Sequence, residues 1–145
     1  MPRMPLTPPR ILGAAELSDL VGGLAARPEL WRPHVRAEAG RRHFHRLVAE
    51  AHATVWLISW MPGTDTGFHD HDGAAGAVCV VAGAVCEERL RLGGTPLRGV
   101  HGEGEVFGFG PHDIHRVRHS AGEPAVTIHA YSPELRRMGR YVEGP

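Results

Sequence analysis

The stretch "GFHDHDGAAGAVCVVAG", residues 67–83, places two histidines two positions apart and follows them with almost nothing polar. Side chains repeat every second residue along a strand, so His69 and His71 fall on one face. Two imidazoles held side by side in this way suit a metal ion. Gly63 and Gly83 flank the pair at positions where tight turns are needed. A second cluster, "PHDIHRVRH" over residues 111–119, brings Pro111, Asp113 and His115 with a turn of its own. Three imidazoles from two hairpins, His69, His71 and His115, can meet inside a small barrel. Further on, Thr127, His129 and Tyr131 alternate along a third segment, so a hydroxyl, an imidazole and a phenol share one face. Such a hydrogen-bonded row can orient a ligand or pass a proton.

The texture around these clusters is that of an all-β protein. From Arg41 onward, short runs rich in Val, Ile, Phe and Trp alternate with Gly, Pro and Asp clusters. Strands are expected near 42–49, 53–61, 67–71, 76–82, 84–91, 105–109, 114–119 and 125–131. "MPGTDTG", "LGGT", "HGEGE" and "SAGEP" read as the turns. Many short, evenly spaced strands predict a barrel or jelly roll. Before them, Leu17, Leu20, Val21 and Leu24 recur at helical spacing, and "ARPELWRPHVRAE" carries two prolines that limit it to short helical turns. The expected organisation is a flexible, Pro-rich segment 1–10 and one domain over 11–145. That domain divides into a helical cap at about 11–40 and a β-barrel at about 41–133.

Composition bounds the function. The chain has 145 residues, and its 16 Lys and Arg balance its 16 Asp and Glu. Zero net charge argues against a general nucleic-acid or anionic-membrane surface. Eleven histidines against two tyrosines and three tryptophans is an excess that fits metal chemistry. Of these, His34, His52, His101 and His112 read as surface or turn residues, and His119 is left open between a strand end and a partner of the site. Cys79 and Cys86 read as two buried thiols of a reducing compartment. The apolar run from Ala74 to Val85 is far shorter than a membrane span. The expectations are a cytoplasmic protein with neither a nucleic-acid nor a membrane partner.

The two histidine clusters resemble the two motifs of the cupin superfamily and, more narrowly, the cysteine dioxygenase (thiol dioxygenase) family of bacterial type. The usual first cupin motif has a Glu three or four residues after the histidine pair. Here Ala75 and Gly76 stand near that place. The resemblance implies a cupin jelly-roll β-barrel with a small helical N-terminal cap and an iron(II) ion held by His69, His71 and His115. It implies that Thr127, His129 and Tyr131 are the family's row beside the iron. In animal members a Cys crosslinks to the active-site Tyr. Gly76 occupies the matching position, so Tyr131 is expected unmodified.

The family binds the substrate carboxylate with an Arg on an early strand, preceded at two residues by an aromatic. "RRHFHRLV" offers Phe44 and Arg46, and a shift of one residue puts His45 there instead. A guanidinium matches a carboxylate with two parallel hydrogen bonds, which favours Arg46; a solvent-facing strand charge is the competing reading. Phe44, Val48 and, nearer the rim, Arg42 are expected on the face of Arg46.

Three neutral imidazoles leave a ferrous ion its full charge and open positions, so a thiolate can enter and restore the balance. The implied reaction is oxidation of L-cysteine by O2 to cysteine sulfinic acid. The alternatives are another small thiol, such as 3-mercaptopropionate, or a non-catalytic metal-binding cupin. Zinc also suits three histidines but has no redox chemistry and leaves the Thr127–His129–Tyr131 row without a task. A monomer is expected.

Overall fold

The computed structural model describes residues 11–49, 52–133 and 140–141. The segment 1–10, expected to be flexible, lies outside the described residues. The architecture is the all-β jelly-roll barrel with a helical N-terminal cap that the sequence predicts. Helix α1 (Ala14–Ala25) and the short α2 (Pro28–Trp31), followed by one 3₁₀ turn (Arg32–His34), form the cap. Pro28 opens α2, where a missing N–H costs nothing. The indole N–H of Trp31 donates to the Ala25 carbonyl at 3.2 Å and ties α2 back to the end of α1.

Among the described residues eight strands follow: β1 (His43–Ala49), β2 (Thr54–Trp60), β3 (Phe68–His69), β4 (Ala75–Arg89), β5 (Leu97–Gly102), β6 (Val106–Phe109), β7 (His115–Ser132) and β8 (Arg140–Tyr141). The long strands β4 and β7 pair antiparallel along nearly their whole length, from Ala75 opposite Ser132 to Arg89 opposite His115. β1 and β2 extend the C-terminal half of β7, and β6 extends the first half of β4. β5 extends the second half of β4, and β3 and β8 continue outward from the start of β7. Each long strand thus serves both sheets of the roll.

Two expected boundaries are corrected here. The runs 76–82 and 84–91 are one strand, and so are 114–119 and 125–131. Gly83 has φ +67° and Gly122 φ +105°, and a β-carbon on Gly83 would stand 2.2 Å from the Ala121 carbonyl oxygen. These glycines bend a continuing ladder, with register shifts around Ala82 and Ala84, rather than ending it. "SAGEP" is the matching bend in β7. Strand β5 was not expected: Leu97–Gly102 is rich in Gly and polar residues, and it pairs only with β4 as an edge.

The near absence of polar residues after His71 has a simple cause. β4 is buried on both faces. Ala77 and Cys79 join the core between sheet and cap, with Leu17, Val21, Leu57 and Ile128. Val78 and Val80 join the barrel interior, with Trp60, Phe109, Val117 and Tyr131. A strand covered on both sides loses the alternation of a half-exposed one. Cys79 and Cys86 are free and buried, as read from the sequence.

Leu17 is fully buried between α1 and the sheet. Leu17→Ala is expected to cost about 2–5 kcal/mol in chemical denaturation, the range for an aliphatic side chain removed from a packed core. A loss below about 1 kcal/mol would mean that the cap is not docked on the barrel.

Candidate metal centre

His69 ends β3 and pairs directly with His115, the first residue of β7. The loop before His69 is pinned to the same strand. Asp65 accepts from Arg116 Nε at 2.9 and 3.0 Å and from its terminal nitrogen at 2.6 Å. Thr66 N–H donates to the Val117 carbonyl, and Val117 N–H donates to Thr66 Oγ1, both at 2.9 Å. His71 lies just beyond β3, ahead of a turn in which Asp72 and Gly73 adopt positive φ. The ordered strand is therefore shorter than the expected 67–71, yet His71 still turns inward and is almost fully buried.

The three rings meet edge to face, with centroids 4.7, 4.7 and 4.8 Å apart. One ligand atom from each lies within 4.8 Å of the others. His71 Nε2 and His115 Nε2 are 3.2 Å apart. Nitrogens bound about 2.1 Å from one ion at angles of about 90–110° stand about 3.0–3.4 Å apart, so this spacing fits a shared metal. The protons agree with that fit. His69 Nδ1 is 2.9 Å from the Gly67 carbonyl and His115 Nδ1 is 2.7 Å from Glu87 Oε2. Both acceptors lack a proton, so each Nδ1 donates, and in the neutral form of each ring Nε2 is left with its lone pair. His71 Nδ1 is buried with no hydrogen-bond partner among the described residues, and its ring is held by stacking on Phe109 at 4.0 Å.

Burial keeps His69 and His71 neutral. It pushes His69 down to about 4 and His71 to about 2, in each case with the neighbouring imidazoles adding to the effect. A neutral imidazole is the form that binds a metal.

Beside the triad runs the expected row. Thr127, His129 and Tyr131 lie opposite Ile58, Trp56 and Thr54 on β2 and opposite Val80, Val78 and Gly76 on β4. Thr127 Oγ1 is 2.5 Å from His129 Nε2, and Tyr131 Oη is 3.3 Å from His129 Nδ1. Trp60, which sequence reasoning missed, adds a fourth member: its indole N–H donates to Thr127 Oγ1 at 2.8 Å. Along β2, Trp60 alternates onto the same face as Ile58 and Trp56, which stand opposite Thr127 and His129. Burial lowers His129 to about 3 and raises Tyr131 above its ordinary value, so an uncharged ring and a protonated phenol face the triad. Tyr131 stacks 5.6 Å from His71.

A family model of cysteine dioxygenase type I matches residues 10–144. The chain belongs to that family. No curated protein sequence matches it. Its fold recurs in the protein TT1209 from Thermus thermophilus, at 16% identity over 71% of this chain and 93% of that one, with TM-score 0.62. It recurs in a double-stranded β-helix protein of Klebsiella pneumoniae, at 17% identity over 77% and 94%, with TM-score 0.62. An oxalate oxidase shares it at 14% identity over 71% of this chain and 59% of that one, with TM-score 0.60. Membership in the cysteine dioxygenase family makes a metal-dependent thiol dioxygenase with a three-histidine site the activity class. No helix among the described residues is long and apolar enough to cross a membrane.

At Gly76 a β-carbon would fall 2.2 Å from Phe109 Cζ. The Phe109 ring fills the space that a side chain at position 76 would take. Cys79 faces the cap-side core, on the other side of the strand from Tyr131.

On β1 the structure separates the expected residues. Phe44 and Arg46 pair with Ile58 and Trp56 and so belong to the face of the row, but both are exposed. His45 pairs with Leu57, of the cap-side core, and stacks on His34 at 3.8 Å. It is not brought to the triad. A bulge between Arg46 and Val48 sets Val48 opposite Val55 instead of Thr54, so the expected parity with Arg46 is broken. Arg42 reaches furthest in. Its guanidinium stacks over Trp60 at 5.7 Å and Phe44 at 5.2 Å, and its charge helps lower His69 and His129. Among the other histidines, His52 and His112 are exposed as expected. His101 is not: it stacks on Phe107 at 4.1 Å, beside Glu87. His119 bonds to the Gly122 carbonyl across the bend of β7.

The lowered imidazoles set a pH dependence. As pH falls through about 6.5 the unfolded chain protonates these rings, while folded His69 waits until about 4, His129 until about 3 and His71 until about 2. The unfolded state then binds more protons, so the metal-free protein loses stability as pH falls. Asp65 and Glu87, both held below their ordinary 3.8 and 4.5, add their loss only under more acid conditions. Calorimetry of the metal-free protein should show Tm falling from pH 7 to pH 5. His71→Ala should flatten that slope. A flat parent profile would contradict the burial of three neutral imidazoles.

Proposed function

We propose that this protein is a thiol dioxygenase that uses iron(II) and O2 to convert L-cysteine to cysteine sulfinic acid. The observation that carries the reading is a buried donor set of three histidines, His69, His71 and His115, with no acid among them, set against a hydrogen-bonded Tyr131–His129–Thr127 row. Iron(II) held there would supply a seat for the thiolate and the redox chemistry that O2 requires.

The chain's own residues do the rest. Trp60 N–H occupies one lone pair of Thr127 Oγ1, which lets the Thr127 hydroxyl donate to His129 Nε2. His129 then carries its proton on Nδ1 and donates to Tyr131 Oη. The Tyr131 hydroxyl is left to donate toward a bound ligand. Every donor in the row points the same way, which fixes the phenol proton before substrate arrives. Phe109, Val78 and Trp60 exclude water around it.

The carboxylate partner is an arginine on or just before β1. Arg42 and Arg46 share the face of Phe44, and what supports Arg42 is its position over Trp60 and its charge at His69 and His129. Arg46, the match by motif, stands further out, and Phe44 lines the approach between them. His45 is left to the contact with His34.

Oxygen uptake by the iron-loaded protein with cysteine, 3-mercaptopropionate and cysteamine tests the reading. Cysteine should be the best substrate and cysteamine, which lacks the carboxylate, a poor one. Faster turnover of 3-mercaptopropionate would move the substrate to that acid, and no uptake with any thiol would leave a non-catalytic metal-binding cupin. Arg42→Ala should lower kcat/KM for cysteine at least about tenfold, mainly through KM, because truncating one side of a charged pair costs about 2–5 kcal/mol. Arg46→Ala should cost less and His45→Ala least. Loss on Arg46→Ala alone would return the carboxylate to Arg46.

A further inference from the structure

We propose that Glu87 is a positioning residue of the metal centre: its carboxylate takes the Nδ1 proton of His115 in a hydrogen bond and aims the opposite lone pair at the ion. The inference rests on the metal-centre reading above and adds a residue to it.

The register builds the contact. Arg89 on β4 stands directly opposite His115 on β7, and Glu87 stands two residues along, opposite Val117. All three therefore project from one face, into the barrel. Glu87 Oε2 lies 2.7 Å from His115 Nδ1, with both residues buried. The same oxygen accepts from Arg89 at 2.9 Å. Arg89 also donates to the Gly108 carbonyl at 2.6 Å and to Asp113 Oδ2 at 3.4 Å, and that Asp113 oxygen accepts from Gly110 N–H at 2.7 Å. His101 Nε2 closes the other side, 4.0 Å from Glu87 Oε1. The carboxylate is thus held by Arg89, itself anchored on the β6 backbone and on Asp113, before it meets His115.

The three ligand candidates differ in what stands behind them. His69 leans on a neutral backbone carbonyl, and His71 Nδ1 has no hydrogen-bond partner among the described residues. His115, by contrast, hydrogen-bonds to a full negative charge. A charge-assisted hydrogen bond of this kind settles the tautomer and makes the far nitrogen a stronger donor. The acid missing from the first position at Ala75 and Gly76 reappears one ligand further out, where it strengthens His115 without occupying a coordination position. A thiolate can still enter, and part of the ion's charge is already answered.

Cobalt(II) is the probe. Its affinity for the full-length protein is measured by competition with a chelating dye, for the parent, Glu87→Gln and Glu87→Ala, each also in a His115→Ala background. Near-UV circular dichroism of the metal-free proteins checks folding, and the nearly isosteric Glu87→Gln carries the test should Glu87→Ala not fold. Glu87→Ala should weaken binding about 10–100-fold, the usual effect of removing such a partner, with Glu87→Gln between it and the parent. The visible cobalt bands should move in both. In the His115→Ala background the same substitutions should change affinity by less than about twofold, because Glu87 acts only through His115. Folded Glu87 variants that bind cobalt like the parent overturn the proposal and leave the metal centre standing, and so does an equal loss in both backgrounds. A parent that binds no cobalt overturns both.

Discussion

Three imidazoles packed into an apolar interior, two of them with their outer nitrogens already committed, set the terms for the rest of the molecule. His69 and His115 each spend a proton on an acceptor behind them, and His71 has at most one to place between its own two nitrogens. The inward-facing lone pairs therefore outnumber the protons that could satisfy them. Buried polar groups without partners are costly, so this arrangement persists only where a cation is the intended occupant. The fold is arranged to hold it. Asp65 and Arg116 lock the loop ahead of His69 to the strand that bears His115, and the aromatic ring of Phe109 holds His71 from behind.

The same strand pair carries the other half of the site. β7 begins with His115 in one sheet, bends at Gly122, and ends with Thr127, His129 and Tyr131 in the other. β4 bends with it at Gly83 and backs both halves. A roll folded in this way brings the two ends of one strand to the same interior. Burial then does two chemical tasks at once: it keeps the His69 and His71 imidazoles neutral, and it keeps the Tyr131 phenol protonated as a donor.

Much of this could be read in the sequence, because it depends on local periodicity. Alternation put His69 with His71 and Thr127 with His129 and Tyr131, and the helical spacing of Leu17, Leu20, Val21 and Leu24 marked the cap. What escaped depends on pairing between distant residues. A glycine reads locally as a turn, so β4 and β7 were each divided at a bend that backbone pairing carries through. β5 has no apolar alternation to mark it. The bulge after Arg46 altered the face assignment on β1, since one extra residue changes parity. Glu87 lies 28 positions from His115 and carries no motif; only the register of β4 on β7 brings them together.

The central claim is that three histidine nitrogens hold an iron(II) ion and leave room for a thiolate. X-ray absorption at the iron edge, recorded on the anaerobic iron-loaded protein before and after L-cysteine, addresses it directly. The account predicts nitrogen and oxygen scatterers alone before substrate, with an imidazole signature, and one added sulfur scatterer after it. A spectrum that gains no sulfur on saturation with cysteine, or that lacks the imidazole signature, would contradict it.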